Sequence, residues 1–224
     1  ILKNKKIFLK KYVDERVVEI PWTIKNLDQI KNSKILDAGC TLNFDYLIKR
    51  IIKNKNYITF VNLFPERNTF KSDFVSYKHR DILELNYAEN TFDAITCISV
   101  LEHIGFDNSM YDFNNTKKNF EINSDLYKKV FLKFNMLLKP NCWLYLTFPF
   151  GKKMSFNNYQ QFNIDDVNIM LDNFAPKEYF LKFYKYEINK WNEVSHSACK
   201  EVEAIYKDKT GISSNSIALL KMRK

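Results

Sequence analysis

The sequence predicts an α/β fold: a doubly wound, mostly parallel sheet of seven strands with an antiparallel C-terminal pair. Three observations predict it. From residue 34 onward, short β-rich runs alternate with stretches of helical periodicity, the pattern of parallel strands joined by crossover helices. The first run leads through a glycine-containing bend, Asp37-Ala38-Gly39-Cys40, directly into a helical pattern. Two late β-rich runs have no crossover pattern between them, so an antiparallel pairing is expected there.

The elements follow in order. Lys34 to Ala38 reads as a buried first strand, and Phe44, Leu47, Ile48, Ile51 and Ile52 then fall at helical spacing on one apolar stripe. Tyr57 to Asn62 is the second strand and Ser76 to His79 the third, ending at Arg80-Asp81-Ile82. Ala94 to Ser99 is the fourth, introduced by the polar turn Glu89-Asn90-Thr91. Leu126, Val130, Phe134, Leu137 and Leu138 mark an amphipathic helix that should stop at Lys139-Pro140-Asn141. Trp143 to Phe148 is the fifth strand. Asn163 and Asp166 form an N-cap signature for a helix burying Ile164, Val167, Met170, Leu171 and Phe174. The late strands lie near Tyr179 to Tyr186 and Asn215 to Met222.

Composition excludes several classes. At 46% hydrophobic and 16% aromatic, the 224-residue chain can bury a core and is not disordered. Its longest near-continuous apolar run, Trp143 to Phe150, is too short to span a bilayer, and no apolar stretch follows the first lysines as a signal peptide requires. Cys40, Cys97, Cys142 and Cys199 stand far apart with no CxxC pair, which argues for reduced thiols in the cytoplasm over zinc or disulfides. The net charge of +9 invites a nucleic-acid partner. The lysines are scattered, however, and arginine is scarce, so a solvated surface is the better reading.

Chemistry is expected beyond the carboxyl ends of the strands, where strand order reverses and α/β sheets hold their ligands. Gly39 lets backbone approach a ligand closely, and the following helix N-terminus favours a carboxylate. The residue after the second strand, where an acid would receive ribose hydroxyls, is Asn62, followed by Leu63. After the third strand comes Asp81-Ile82, and after the fourth Ile98-Ser99-Val100-Leu101-Glu102-His103. His103 is the candidate general base, with Glu102 beside it.

This series, from about residue 34 to 150, resembles the class I S-adenosylmethionine (SAM)-dependent methyltransferases. The first motif looks like ILDAGC, the adenine motif like RDILEL, the post-strand motif like FDAITCISVLEHIG, and the fifth-strand motif like LKPNCWLYLTFP. The resemblance implies a Rossmann-like methyltransferase fold, SAM as cofactor and S-adenosylhomocysteine (SAH) as product. It implies that Asp37, Ala38, Gly39 and Cys40 hold the methionine end and that Asn62 and Leu63 face the ribose. Asp81 and Ile82 would hold the adenine, and Ile98 and Ser99 would line the floor beside the sulfonium. The sequence departs from the family where Cys40-Thr41-Leu42-Asn43 replaces further glycines and where Asn62 replaces an acid. Asn43 is expected to take a left-handed backbone, or Thr41 to cap the helix. Relatives that bind magnesium have a Glu where Ser99 stands, so no metal is expected.

Residues 1–33, with Val18-Glu19-Ile20-Pro21-Trp22, are expected to form a cap before a single domain over 34–224. Similar segments precede the first motif in bacterial methyltransferases linked to surface-polysaccharide biosynthesis. Trp22 either caps the pocket or anchors the segment. Residues 105–119, with Phe106, Asp107, Met110, Tyr111, Asp112 and Phe113, are the candidate substrate lid. The resulting expectation is O-methylation of a small polar substrate, such as a sugar of a surface glycan precursor. Two alternatives stand beside it: an RNA methyltransferase, suggested by the charge, and a non-enzymatic SAM-fold partner protein, suggested by Thr41 and Asn62. Oligomeric state is not legible.

Overall fold

The computed structural model describes residues 13–109, 121–207 and 211–224. A leading helix, α1 (Arg16–Leu27), precedes β1 (Lys34–Ala38), α2 (Asp45–Lys53), β2 (Tyr57–Asn62), β3 (Val75–His79) and β4 (Phe92–Ile98). Then come α3 (Tyr127–Leu137), β5 (Leu138–Pro149), the small hairpin β6 (Met154–Phe156) and β7 (Tyr159–Gln161), and α4 (Ile164–Phe174). The last elements are β8 (Glu178–Glu187), β9 (Lys190–Val194), α5 (His196–Cys199), the pair β10 (Ala204–Lys207) and β11 (Gly211–Ser214), and β12 (Ser216–Arg223).

The main sheet runs β3-β2-β1-β4-β5-β12-β8-β9. β1 through β5 are mutually parallel, while β12 lies antiparallel between β5 and β8. The sheet is therefore doubly wound and Rossmann-like, with an antiparallel strand pair at one end. It has eight strands instead of seven because β9 folds back on β8. Glu187 pairs with Lys190, so Ile188 and Asn189 form a two-residue turn, with φ of +51° and +60°. A β-branched residue is an unlikely occupant of left-handed backbone, which is why the turn was not visible in the sequence.

β1 leaves only its first residue exposed and β4 is buried along almost its whole length, as strands covered on both faces must be. One face, with Leu36, Val61, Ile95 and Leu146, packs under Phe131 and Phe134 of α3 and Val167 and Met170 of α4. The other, with Ile35, Ile58, Phe60 and Ile98, packs under Leu47, Ile48 and Ile51 of α2 and Ile24 and Leu27 of α1. Phe44 lies outside the α2 stripe: it is the exposed N-cap. Asn163 caps α4 as the sequence indicates, its side chain accepting from the Asp166 N–H while the Asp166 carboxylate accepts from the Asn163 N–H. α3 stops at Leu137, just before the proline signal, and residues 139–142 bulge out so that Phe92 pairs with Leu138 but Ala94 with Trp143.

Candidate functional site

The parallel ladders continue one step past the strands and bring the connecting bends together. The Gly39 N–H donates to the Val61 carbonyl (2.7 Å), the Arg80 N–H to the Asn62 carbonyl (2.9 Å), and the Ser99 N–H to the Thr147 carbonyl (2.9 Å). The bends after β1, β2, β3 and β4 thus open on one crevice, at the point where strand order reverses between β1 and β4. A cavity of about 280 Å³ there is lined by Gly39, Thr41, Asn62, Leu63, Asp81, Ile82, Ser99, Val100 and His103 among others. A wider chamber of about 890 Å³ adjoins it, and Arg16, Thr41, Asn62 and Phe64 line both. The wider chamber falls within the size range of small-molecule sites, and the smaller cavity lies at its lower edge.

Each bend is built locally. Gly39 has φ +106°, and a Cβ there would stand 2.1 Å from Val100 Cγ2, so only glycine fits between β1 and the segment after β4. The left-handed residue beside it is Cys40 (φ +57°), not Asn43. Thr41 does not cap α2; its hydroxyl donates to the Ile98 carbonyl (2.9 Å) and ties two bends together. Asp37 lies beneath its bend, fully buried, outside the cavity lining. It accepts from the Leu42 N–H (2.9 Å) and the Thr96 hydroxyl (2.7 Å). Burial raises its pKa to about 6 against the lowering effect of those bonds. Ala38 and Ile98 are also buried behind the lining, and Cys40 lines the wider chamber. Asp81 caps the short 3₁₀ turn Ile82–Glu84 by accepting from the Leu83 N–H (2.8 Å).

His103 lines the smaller cavity, and its Nδ1 lies 2.8 Å from the Asn158 carbonyl at the β6–β7 turn. A carbonyl only accepts, so Nδ1 carries the proton and Nε2 bears the lone pair in the neutral ring. Burial holds the imidazole below its ordinary pKa, with Arg16 reinforcing this and the Asn158 bond opposing it. Glu102 lines neither chamber. It is buried, its Oε2 has no hydrogen-bond partner among the described residues, and burial pushes its pKa well up. Among the described residues no group of three or more His, Cys, Asp or Glu is arranged to hold a metal.

Periodicity did not reveal three of the charged groups at the site, Arg16, Glu19 and Glu66. Arg16 reaches the junction of both chambers and pairs with Glu19 (2.5 Å), which is fully buried. The other Glu19 oxygen accepts from the Ser99 hydroxyl (2.6 Å), so α1 is bonded to the bend after β4. The available signal was a carboxylate inside an apolar helical run, three residues after an arginine. Glu15 is raised to about 7 by burial and by the charges of Glu19 and Asp14. Glu66 is the third, its carboxylate held by Asn62 and Asn43. Trp22 is an anchor, edge-on to Tyr145 with ring centroids 6.0 Å apart, and lines neither chamber. Phe106 is fully buried in the core, so it cannot stack on a substrate. Residues 110–119 of the expected lid lie outside the described residues. His79 is exposed at its strand end, and His196 packs against Phe150 and Phe183.

Residues 36–116 match a family model described as a methyltransferase domain, a span that holds the bends after β1 to β4. An uncharacterised protein of Methanocaldococcus jannaschii is 26% identical over 141 residues, covering 59% of this chain. That alignment spans 61% of the relative's length. The 1,6-didemethyltoxoflavin-N1-methyltransferase of Burkholderia thailandensis, solved with SAH, aligns over 91% of this chain and 80% of its own (TM-score 0.52, 14% identity). The YcgJ protein of Bacillus subtilis aligns over 92% and 97% (TM-score 0.56, 11% identity). The structural likenesses establish the Rossmann-like methyltransferase fold, and within it residues 36–116 are the segment similar to the methyltransferase-domain model.

Proposed function

We propose that this chain is an enzyme that transfers the methyl group of SAM to a hydroxyl of a small polar acceptor, and that a sugar of a surface-glycan precursor is the acceptor to screen first. The observation that supports it best is the convergence of the bends after β1 to β4 on one crevice that also contains a neutral, oriented histidine. The residues present fit the cofactor. Gly39 and Thr41 give close backbone approach for its methionine part, Arg16 supplies a cation for its carboxylate, and Asp81 and Ile82 line the end suited to adenine. SAM, when bound, supplies a methyl group activated by a positively charged sulfur.

What the chain itself must do is align and deprotonate. In-line displacement needs the acceptor oxygen held close to the methyl, a positioning task for the cavity wall of Ser99, Val100 and His103. On this reading His103 takes the hydroxyl proton, and burial favours its neutral ring near pH 7. A hydroxyl must lose its proton as it attacks, a step that a neutral imidazole suits. Glu102, buried behind His103, is assigned a positioning role. Residues 1–33 are proposed as a cap on this site, with α1 fixed through Glu19 and Ser99. The free thiols suit a reducing compartment such as the cytoplasm.

Calorimetry with SAM and SAH tests the cofactor, and an acceptor screen of sugar nucleotides against RNA tests the substrate class. His103→Ala is expected to retain SAH affinity within about threefold while turnover falls roughly 10²–10⁴-fold. Intact turnover in that variant would remove the base assignment, and saturable binding of neither ligand would remove the enzyme reading.

A further inference from the structure

We infer that Glu66, a residue four positions beyond the end of β2, is the acid that receives the cofactor's ribose hydroxyls; the inference rests on the SAM-binding reading above. In α/β sheets that bind nucleosides, the acid after the second strand takes the ribose diol, because a carboxylate can accept from both hydroxyls at once. At that place this chain has Asn62, whose amide is already committed. Its Nδ2 donates to Glu66 Oε1 (2.6 Å) and its Oδ1 accepts from the Leu63 N–H (2.9 Å). The strand end therefore does not replace the missing charge with an amide; it uses the amide to hold a charge delivered from the following loop.

The carboxylate is held from a second side as well. Asn43, from the bend after β1, donates to Glu66 Oε2 (3.1 Å). The Oδ1 of Asn43 accepts from the Tyr77 hydroxyl of β3 (2.8 Å). Each carboxylate oxygen thus takes one of these amide bonds, the Cys40 thiol also hydrogen-bonds the carboxylate, and the acceptor capacity left over serves the chamber that Glu66 lines, where Asn62 joins it to the smaller cavity. A purely structural clamp is the competing explanation. The loop already has one without Glu66, however, because Asn43 also donates to the Asn68 carbonyl (3.0 Å) and the Tyr77 hydroxyl accepts from the Phe70 N–H (2.8 Å).

Calorimetry with SAH on the wild type, Glu66→Gln, Asn62→Asp and the double exchange Asn62→Asp/Glu66→Gln tests the assignment. Glu66→Gln is expected to bind SAH about 10- to 30-fold more weakly, the loss of a charge-assisted pair. The double exchange, which returns the acid to the strand end and leaves an amide beside it, is expected to recover to within about threefold of wild type. Asn62→Asp alone should weaken binding by setting two carboxylates against each other. Adenosine and 2′,3′-dideoxyadenosine separate recognition from scaffolding: wild type should prefer adenosine about tenfold and Glu66→Gln should lose that preference. Equal loss for both nucleosides, unchanged SAH affinity in Glu66→Gln, or tighter binding in Asn62→Asp would overturn the assignment. Absence of SAH binding by wild type would instead remove the cofactor reading, and this inference with it.

Discussion

The parallel and antiparallel halves of the sheet put their charges in different places. Around β1 and β4, Asp37, Glu19 and Glu102 are buried, each tied to the bends or packed behind them. Around β8, β9 and β12 the ion pairs lie on the surface, as in Lys182–Glu193 and Arg223–Glu178, and Lys221 stands over the Trp143 and Phe180 rings (4.6 and 4.5 Å). Burying a carboxylate costs several kcal/mol unless its bonds are made, so a chain keeps such groups where shape or chemistry needs them. The antiparallel half completes the sheet; the parallel half holds a crevice open.

Substitutions in each half sharpen the contrast, and the largest effect is expected at Gly39. Gly39→Ala forces a Cβ against Val100 in a left-handed conformation, with an expected loss of about 3 kcal/mol or more and of SAH binding. Urea unfolding reads the first and calorimetry the second, and a loss under about 1 kcal/mol would show that the bend has room to relax.

Asp37 gives the next effect, and its sign is set by burial. Its folded pKa of about 6 lies above the ordinary aspartate value, so between pH 4 and 6 the folded state binds more protons than the unfolded chain. Stability contributed by this group is therefore present at low pH and is lost as pH rises through about 6. Against Asp37→Asn, the wild type should lose up to about 3 kcal/mol of relative stability across that window and then level off. A flat difference in urea midpoints between the two proteins from pH 4 to 7 would contradict it.

In the antiparallel half the effects should be small. Ile188→Gly relieves a β-branched residue from left-handed backbone at an exposed turn and should stabilise by about 1 kcal/mol in thermal unfolding. Lys182→Ala should cost under about 0.5 kcal/mol and leave SAH affinity unchanged, because both partners of its ion pair are half exposed. A change in affinity there would mean that the two halves are coupled.

The same division explains what could be read from the chain. Strand order, the capping box at Asn163 and Asp166, and the bend at Gly39 follow periodicity and local turn chemistry, which are written in consecutive residues. Arg16, Glu19 and Glu66 reach the site from a preceding helix and a returning loop, through contacts between residues distant in sequence, such as Glu19 with Ser99 or Asn43 with Glu66. Phe106 was expected to face substrate because its neighbours are polar, yet core packing claimed it. β9 was missed because Ile188 is not a turn-forming residue.

The group that orients His103 is a main-chain oxygen in a two-residue turn, at Asn158. Every amino acid offers that same oxygen, so no replacement at position 158 that preserves the turn can remove it. The imidazole's proton is thereby insured against point mutation at its own partner and exposed only to insertions or deletions that reshape the hairpin.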